Sequence, residues 1–346
     1  MKHFLLLFLI VICFSACKKK TTSTSPVTPT SSAPTSTLTE FSLGSNGGLN
    51  FAINNSDEMI VGTPYSGVKF IKNSTMTTYT WTGYASEIAR TTCVDRQNNL
   101  CFSTDVGSFN PPQKYFKVSG TNVLLVNSFS SPGSSTYFMG NSVGTYYYYD
   151  YNYPSQLVAY NGTTVTPYTY TLSPSMTSMS YFQIDNNDIV WYRGQTLTWF
   201  FTGYFSGGVF TNVTFNPREF EFDALNNLWG LDTGDNDTIL KYDGSVLTKI
   251  SIKNNLGFVD KFETSHIALK NNKVFVLGTL KIPSSPKLHI TIYNTILSTW
   301  KDVDLSNILS SNGYSGVVWD FDVDSQDNIW CLLDSPDNKL VKITTY

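Results

Sequence analysis

Histidine is scarce in this 346-residue chain, with three in all, and charge is sparse, with Asp, Glu, Lys and Arg making up 14% of residues. The formal net charge is −3, and no basic stripe of the kind that neutralises a phosphate backbone occurs. Nucleic acid is therefore excluded as an expected partner. Cysteine is limited to five positions, of which Cys93, Cys101 and Cys331 remain once Cys13 and Cys17 near the N-terminus are set aside. Three thiols cannot all pair, so the fold does not depend on a disulfide framework even in an oxidising compartment. No run approaches the roughly twenty apolar residues that a membrane-spanning helix needs. Apolar residues nowhere recur at helical spacing over a long stretch. Gly-x-Ser-x-Gly, His-Glu-x-x-His and phosphate-loop patterns are missing, which leaves catalysis without a recognisable nucleophile, metal or phosphate site. The cluster Asp232-Thr-Gly-Asp235-Asn-Asp237 offers hard oxygen donors but lacks EF-hand spacing and its closing Glu, so it reads as a solvated turn. No metal and no cofactor is expected.

What is present in quantity is aromatic, 15% of the chain, together with abundant Ser, Thr and Asn. That mixture favours strands and turns over helices. The chain opens with Met1-Lys2-His3 and the eleven-residue apolar run Phe4 to Phe14, followed by Ser15-Ala16-Cys17. One positive residue, a short apolar core and small residues before the cut describe a secretory leader. The stretch Phe14-Ser15-Ala16-Cys17 resembles a bacterial lipobox, although that family usually has Leu where Phe14 stands. The resemblance implies cleavage before Cys17 and attachment of lipid to its thiol. Several acyl chains, at about 0.8 kcal/mol per buried methylene, would hold the protein on a membrane almost permanently. By analogy with lipoprotein sorting, the lack of Asp after Cys17 points to the outer membrane, on a side the sequence leaves open. Residues 18–36 are rich in Lys, Thr, Ser and Pro and have no core-forming pattern, so they read as an extended tether. The expected organisation is a leader over 1–16, lipidated Cys17 and tether over 17–36, and one domain over 37–346, monomeric.

Internal repetition sets the expected fold of that domain. An apolar strand, a polar turn rich in Asp and Asn, and a second apolar strand recur seven times. The copies include TCVDRQNNLCFS from Thr92, FQIDNNDIVWYR from Phe182, FEFDALNNLWGL from Phe220 and FDVDSQDNIWCL from Phe321. Taking Asn54, Asp95, Gly140, Asp185, Asp223, Lys270 and Asp324 as anchors, the spacing runs from 38 to 54 residues. That is the length of a four-stranded propeller blade. A second phrase, clearest in LKYDGSVLTKI from Leu240, supplies a third strand, an Asp-Gly turn and a fourth strand. The last copy ends at LVKITTY without its fourth strand, while TLTEFSL, 37–43, stands unpaired before the first copy. An all-β, seven-bladed β-propeller closed by that N-terminal strand is predicted, with Phe41 and Leu43 facing inward. The longest interval predicts an inserted loop over 305–314. Cys93 and Cys101 flank a hairpin turn symmetrically and are expected as free buried thiols, with a disulfide as the alternative.

These motifs resemble the sensor propellers of two-component regulators and the streptogramin-lyase-like propellers. The resemblance covers residues 37 to 346 and implies fold more than function. The lyases are expected to use a histidine on the propeller face, but neither His266 nor His289 matches a motif of theirs. In the usual propeller arrangement the loops joining strands two and three, and those joining blades, share the ligand-binding face. The first set carries Tyr65, Asp105, Phe109, Tyr151, Tyr153, Arg193, Asp232 and Asp334, and the second Tyr84, Arg218 and Tyr314. Aromatic faces cover apolar surface while polar groups fix orientation. Tyr65, Phe109, Tyr151, Tyr153, Arg193, Asp232 and Asp334 are the expected contacts for a glycan, peptide or protein. A binding role is expected, with an enzyme of lyase-like or glycan-active propeller type as the alternative.

Overall fold

The structure, a computed structural model, describes residues 36–344 apart from 82, 106–112, 121, 130–133, 151–155 and 173–175. The expected leader, Cys17 and all of the tether but Ser36 lie outside the described residues, as do the expected ligand contacts Phe109, Tyr151 and Tyr153.

The recurring turn explains the repeat. In six copies the anchor N–H donates to the carbonyl four residues on: Asn54 to Glu58, Asp95 to Asn99, Asn141 to Thr145, Asp185 to Ile189, Asp223 to Asn227 and Asp324 to Asn328, all at 2.9–3.1 Å. The anchor's Oδ1 accepts the N–H groups two and four residues ahead, at 2.8–3.2 Å, so the turn closes on its own side chain. The residue three ahead takes a left-handed conformation, which Asp, Asn and Gly tolerate: Asp57, Asn98, Gly144, Asp188, Asn226 and Asp327. Six residues after the anchor an indole often closes the arrangement, with Trp191, Trp229 and Trp330 donating to Asp185, Asp223 and Asp324 at 2.9–3.1 Å. Asp324 is the most heavily held. Burial raises its pKa, but hydrogen bonds from Asn328, Trp330 and Lys342 outweigh that and hold it below the ordinary range.

Two anchors differ from the sequence expectation. In the third copy the anchor is Asn141, not Gly140; a Cβ on Gly140 would come within 2.8 Å of the Tyr146 ring. In the sixth copy Lys270 pairs directly with Lys273 around Asn271-Asn272, at φ 47° and 58°. That is a two-residue turn of the kind hairpins prefer, which makes an anchor unnecessary.

Each copy becomes one antiparallel four-stranded sheet, and seven such sheets form the ring. The innermost strands are Asn50–Ile53, Ile88–Val94, Ser134–Gly140, Ser178–Ile184, Pro217–Phe222, Phe262–Lys270 and Val318–Val323, in blades 1 to 7. Each packs against its two neighbours. Apolar clusters fill the seams between blades, one to a seam among the described residues. The aromatic excess goes there: Tyr115 meets Phe138 at 4.6 Å between blades 2 and 3, and Trp191 meets Phe222 at 5.7 Å between blades 4 and 5.

Polar turns tie the same seams at one end of the channel. Asn55, Ser142, Asn186 and Ser325 each donate a backbone N–H to the left-handed Asn98, Asp188, Asn226 or Asp57 of the next blade, at 2.7–2.9 Å. Where Gly144 has no side chain to offer, Arg96 N–H turns to the Gly140 carbonyl at 2.9 Å.

Closure of the ring follows the sequence expectation. Thr37–Ser42 pairs antiparallel with Lys339–Thr344, Thr37 opposite Thr344 and Ser42 opposite Lys339. Phe41 and Leu43 are 8% and 3% exposed, and Phe41 stacks on Trp330 at 5.9 Å in the seam between blades 7 and 1. The long sixth interval holds its insertion where expected, and the inserted segment contains helix α2, Leu305–Ser311; α1 is the shorter Ile252–Leu256. Asp304 caps α2 by accepting the Asn307 N–H at 2.9 Å, and Leu305, Ile308 and Leu309 bury its inner face. Cys93 lies directly opposite Cys101 as a free thiol and donates to the Phe138 carbonyl at 3.1 Å.

Removing Thr37–Leu43 uncovers the Lys339–Thr344 edge and empties part of a seam. A chain starting at Ser45 is expected to melt lower and aggregate sooner than one starting at Thr37, and matched thermal melts with light scattering decide it. Asp223→Ala leaves the Trp229 indole and two turn N–H groups without their acceptor, a loss of about 2–3 kcal/mol. Asp223→Asn, the residue type found at Asn54 and Asn141, should cost less than half as much in denaturant unfolding.

Candidate functional site

The innermost strands are irregular where they leave the blade-joining loops, at the end of the channel away from the anchored turns. Pairing with the second strand shifts register around Arg90 in blade 2, Ser180 in blade 4, Arg218-Glu219 in blade 5, Ser265 in blade 6 and Trp319 in blade 7. A bulge leaves its extra residue unpaired and re-aims the side chain. Here it places Arg90, Glu219 and Trp319 on the wall of a central channel of about 760 Å³, with Asn50, His266 and Asp320. Trp319 is 57% exposed on an innermost strand. Its sequence signal is the run Val317-Val318-Trp319, which breaks the alternation expected of a strand before Asp320; the sequence reading missed it.

Below this mouth the wall is acidic. Innermost strands have an unpaired edge, and carboxylates from neighbouring blades reach across to it. Glu221 accepts the Leu269 N–H at 2.9 Å, Asp320 the Phe51 N–H at 3.2 Å and Asp322 the Ile53 N–H at 3.3 Å. Glu219 meets His266 Nδ1 at 3.1 Å. The ring of strands surrounds these groups, and that burial raises Glu221 to about 8, Asp320 to about 6 and Asp322 to about 7. Asp322 raises Glu221 further, and Asp320 raises Asp322, while the donated N–H groups oppose the rise. For His266 burial lowers the pKa, but Glu219 and Asp320 outweigh it and leave it raised. Among the described residues no group of three or more His, Cys, Asp or Glu is arranged to hold a metal ion.

The expected contacts divide by what holds them. Tyr65 is 47% exposed in a left-handed turn, φ 54°, whose N–H donates to the Glu87 carbonyl at 3.1 Å. Arg193 lies within the second strand of blade 4, Val190–Gln195, and not in the loop where the sequence reading put it, with its guanidinium 3.8 Å over the Phe200 ring. Asp232 is buried and committed to Lys249 at 2.5 Å and the Gly234 N–H at 3.0 Å. Asp334 is exposed and takes the Ser335 N–H at 2.7 Å. Asp105 pairs with Arg90 at 2.6 Å, Arg218 donates to the Thr264 carbonyl, and the Tyr314 hydroxyl donates to Glu40. Trp199 and Leu197, in the strand two-to-three loop of blade 4, are 54% and 89% exposed and were also missed. Only the closed ring brings Tyr65, Arg193, Trp199 and Trp319 to one end of the channel.

The raised acids give stability a direction with pH. An unfolded carboxyl titrates near about 4, so between that value and the folded ones the native chain holds more protons. The contribution of these groups to stability is therefore full below about 4 and falls as pH rises through the 6 to 8 at which Asp320, Asp322 and Glu221 ionise. Raised His266 acts in the same direction. The melting temperature is expected to drop by on the order of 5 °C from pH 5 to pH 8. Glu221→Gln with Asp322→Asn should at least halve that drop, as scanning calorimetry would read.

No protein-family model matches the chain, and no curated protein matches it by sequence. Solved structures do match in fold. YCF48 bound to D1 peptide superposes with a TM-score of 0.59 at 10% identity, over 89% of this chain and 97% of that one. The WD40 β-propeller domain of Doa1 gives 0.56 at 10% identity over 89% and 96%. The extracellular domain of the putative one-component system BT4673 from B. thetaiotaomicron gives 0.58 at 10% identity over 87% of this chain. There the match spans 40% of the other chain's length. At such identities the likeness is one of fold, and the chain is a seven-bladed β-propeller.

Proposed function

We propose that this chain is a binding protein of the bacterial cell envelope, anchored by lipid on Cys17, whose propeller holds a peptide segment of a partner protein across the channel mouth. The observation that carries the reading is Trp319, a large aromatic 57% exposed on an innermost strand and aimed by a bulge into the channel mouth. Burying an indole gives a large apolar gain, and its N–H fixes orientation. Tyr65 and Trp199 add aromatic surface on the same face, and Arg90, His266 and Asp320 add polar groups around the channel mouth. The fold of a propeller that has been seen with a bound peptide, YCF48, is consistent with this use. The anchor and tether rest on the lipobox-like run and the composition of 17–36.

A second reading, acid–base chemistry on a substrate in the channel, has the Glu219–His266 pair behind it, at 3.1 Å. No Gly-x-Ser-x-Gly or His-Glu-x-x-His pattern accompanies it in the sequence. Binding can be tested by panning random peptides and a glycan array against the domain from Thr37 onward. Peptides are expected to be selected, with affinity falling at least ten-fold in Trp319→Ala. Binding of glycans alone, or peptide binding indifferent to Trp319, contradicts the reading. Fractionating cells that express the full chain and its Cys17→Ser form checks the anchor, since identical soluble partitioning of both removes it.

A further inference from the structure

Arg193 has a cost with no visible return inside the protein. Its Nε is buried without a hydrogen-bond partner, and among the described residues no hydrogen bond or ion pair holds its guanidinium. By contrast Arg90 is paired with Asp105, and Arg218 is tied to Thr264. Among the described residues the ring that the Arg193 guanidinium meets is Phe200, 3.8 Å away, which fixes the plane of the group without neutralising it. A half-buried cation left in this state is unfavourable by itself, because its lost hydration is not replaced.

Its surroundings define what would complete it. Arg193 stands opposite Tyr181, whose hydroxyl donates to the Phe220 carbonyl at 3.1 Å and so holds the end of blade 4 against blade 5. Arg218 and Glu219 begin that innermost strand of blade 5, close enough for their charges to act on Arg193. Burial lowers the pKa of Arg193, Arg218 lowers it further, and Glu219 opposes both. Arg218 and Glu219 act on Arg193 with opposite signs, which leaves the charge of the guanidinium itself for an anionic group to meet. Glu219 would repel a dianion such as phosphate more strongly than a monoanion. The loop that follows this strand presents exposed Leu197 and Trp199, an apolar surface suited to a peptide.

We propose that Arg193 is a receptor for one carboxylate of the bound peptide, which would meet the charge of its guanidinium. This rests on the binding reading above and names the ligand chemistry at one end of the same face. The guanidinium plane, already set by Phe200, matches the two oxygens of a carboxylate, so little side-chain freedom remains to be lost on binding. The carboxylate can come from an acidic side chain or from a free C-terminus, and both present the same group.

The test uses three random pentapeptide pools and inorganic phosphate, titrated into the domain from Thr37 onward while tryptophan emission and melting temperature are followed. One pool is Ac-XXEXX-NH2, one Ac-XXQXX-NH2 and one Ac-XXQXX-OH, which separates a side-chain source from a C-terminal one. At least one carboxylate pool is expected to bind ten-fold or more tightly than the uncharged pool. Arg193→Gln should erase that preference, and Arg193→Lys, which keeps the charge without the fork, should retain only part of it. Melts of both variants without ligand verify that they fold. Equal binding of all three pools, a preference that survives Arg193→Gln, or tighter binding of phosphate overturns the proposal. If peptides still bind equally and Trp319→Ala weakens them, the binding reading stands without the carboxylate. If no pool binds, both fail.

Discussion

A short polar side chain at the head of six of the seven turns between innermost and second strands is what the rest of the ring depends on. By accepting two backbone N–H groups of its own turn, it fixes where the innermost strand ends and the second begins. That turn sets the left-handed residue three ahead, and in four seams that residue's side chain caps a backbone N–H of the preceding blade. Local and long-range order therefore share one set of hydrogen bonds. The indole six residues on adds the second lone-pair contact and carries its ring into the apolar seam, so one residue serves both kinds of interaction.

The two ends of the channel consequently differ. At the anchored end, side chains are consumed in holding blades to one another. At the other end the innermost strands carry bulges, the register loosens, and residues such as Trp319 and Arg90 are released from pairing with the second strand. The acidic wall between the ends is structural as much as electrostatic: Glu221, Asp320 and Asp322 satisfy N–H groups on strand edges that no further strand can pair. Those contacts hold carboxyls in a protein-walled channel, where burial raises their pKa values although the donated N–H groups oppose the rise. A ligand at the mouth would sit above groups that change charge near neutral pH.

Exposure was legible in the sequence where it follows from loop position and not where it follows from packing. Tyr65 lies in a loop and is exposed there. Asp232 stands at a comparable position, yet Lys249, seventeen residues later, claims its carboxylate. Nothing local to Asp232 announces that pairing, because the two meet only when the blade's sheet forms. Trp319 was passed over for the opposite reason. An aromatic next to two valines reads as core, and only the bulge turns it outward.

The sequence by itself determined the fold: the number of blades, the hairpin order within each, the closing strand and the burial of Phe41 and Leu43. It could do so because these depend on nearest-neighbour chemistry, a side chain bonding its own turn and an alternating pattern with period two, repeated often enough to be recognised. The third anchor shifted by one residue because Gly140 and Asn141 both suit a turn, and the sixth copy replaced the anchor with a two-residue hairpin. Tertiary structure alone decided which side chains face the channel, which charges are paired across seams, and that Arg193 Nε is left without a hydrogen-bond partner among the described residues. Those outcomes depend on residues from different blades arriving at one place, and sequence spacing carries no record of where a closed ring brings its distant parts together.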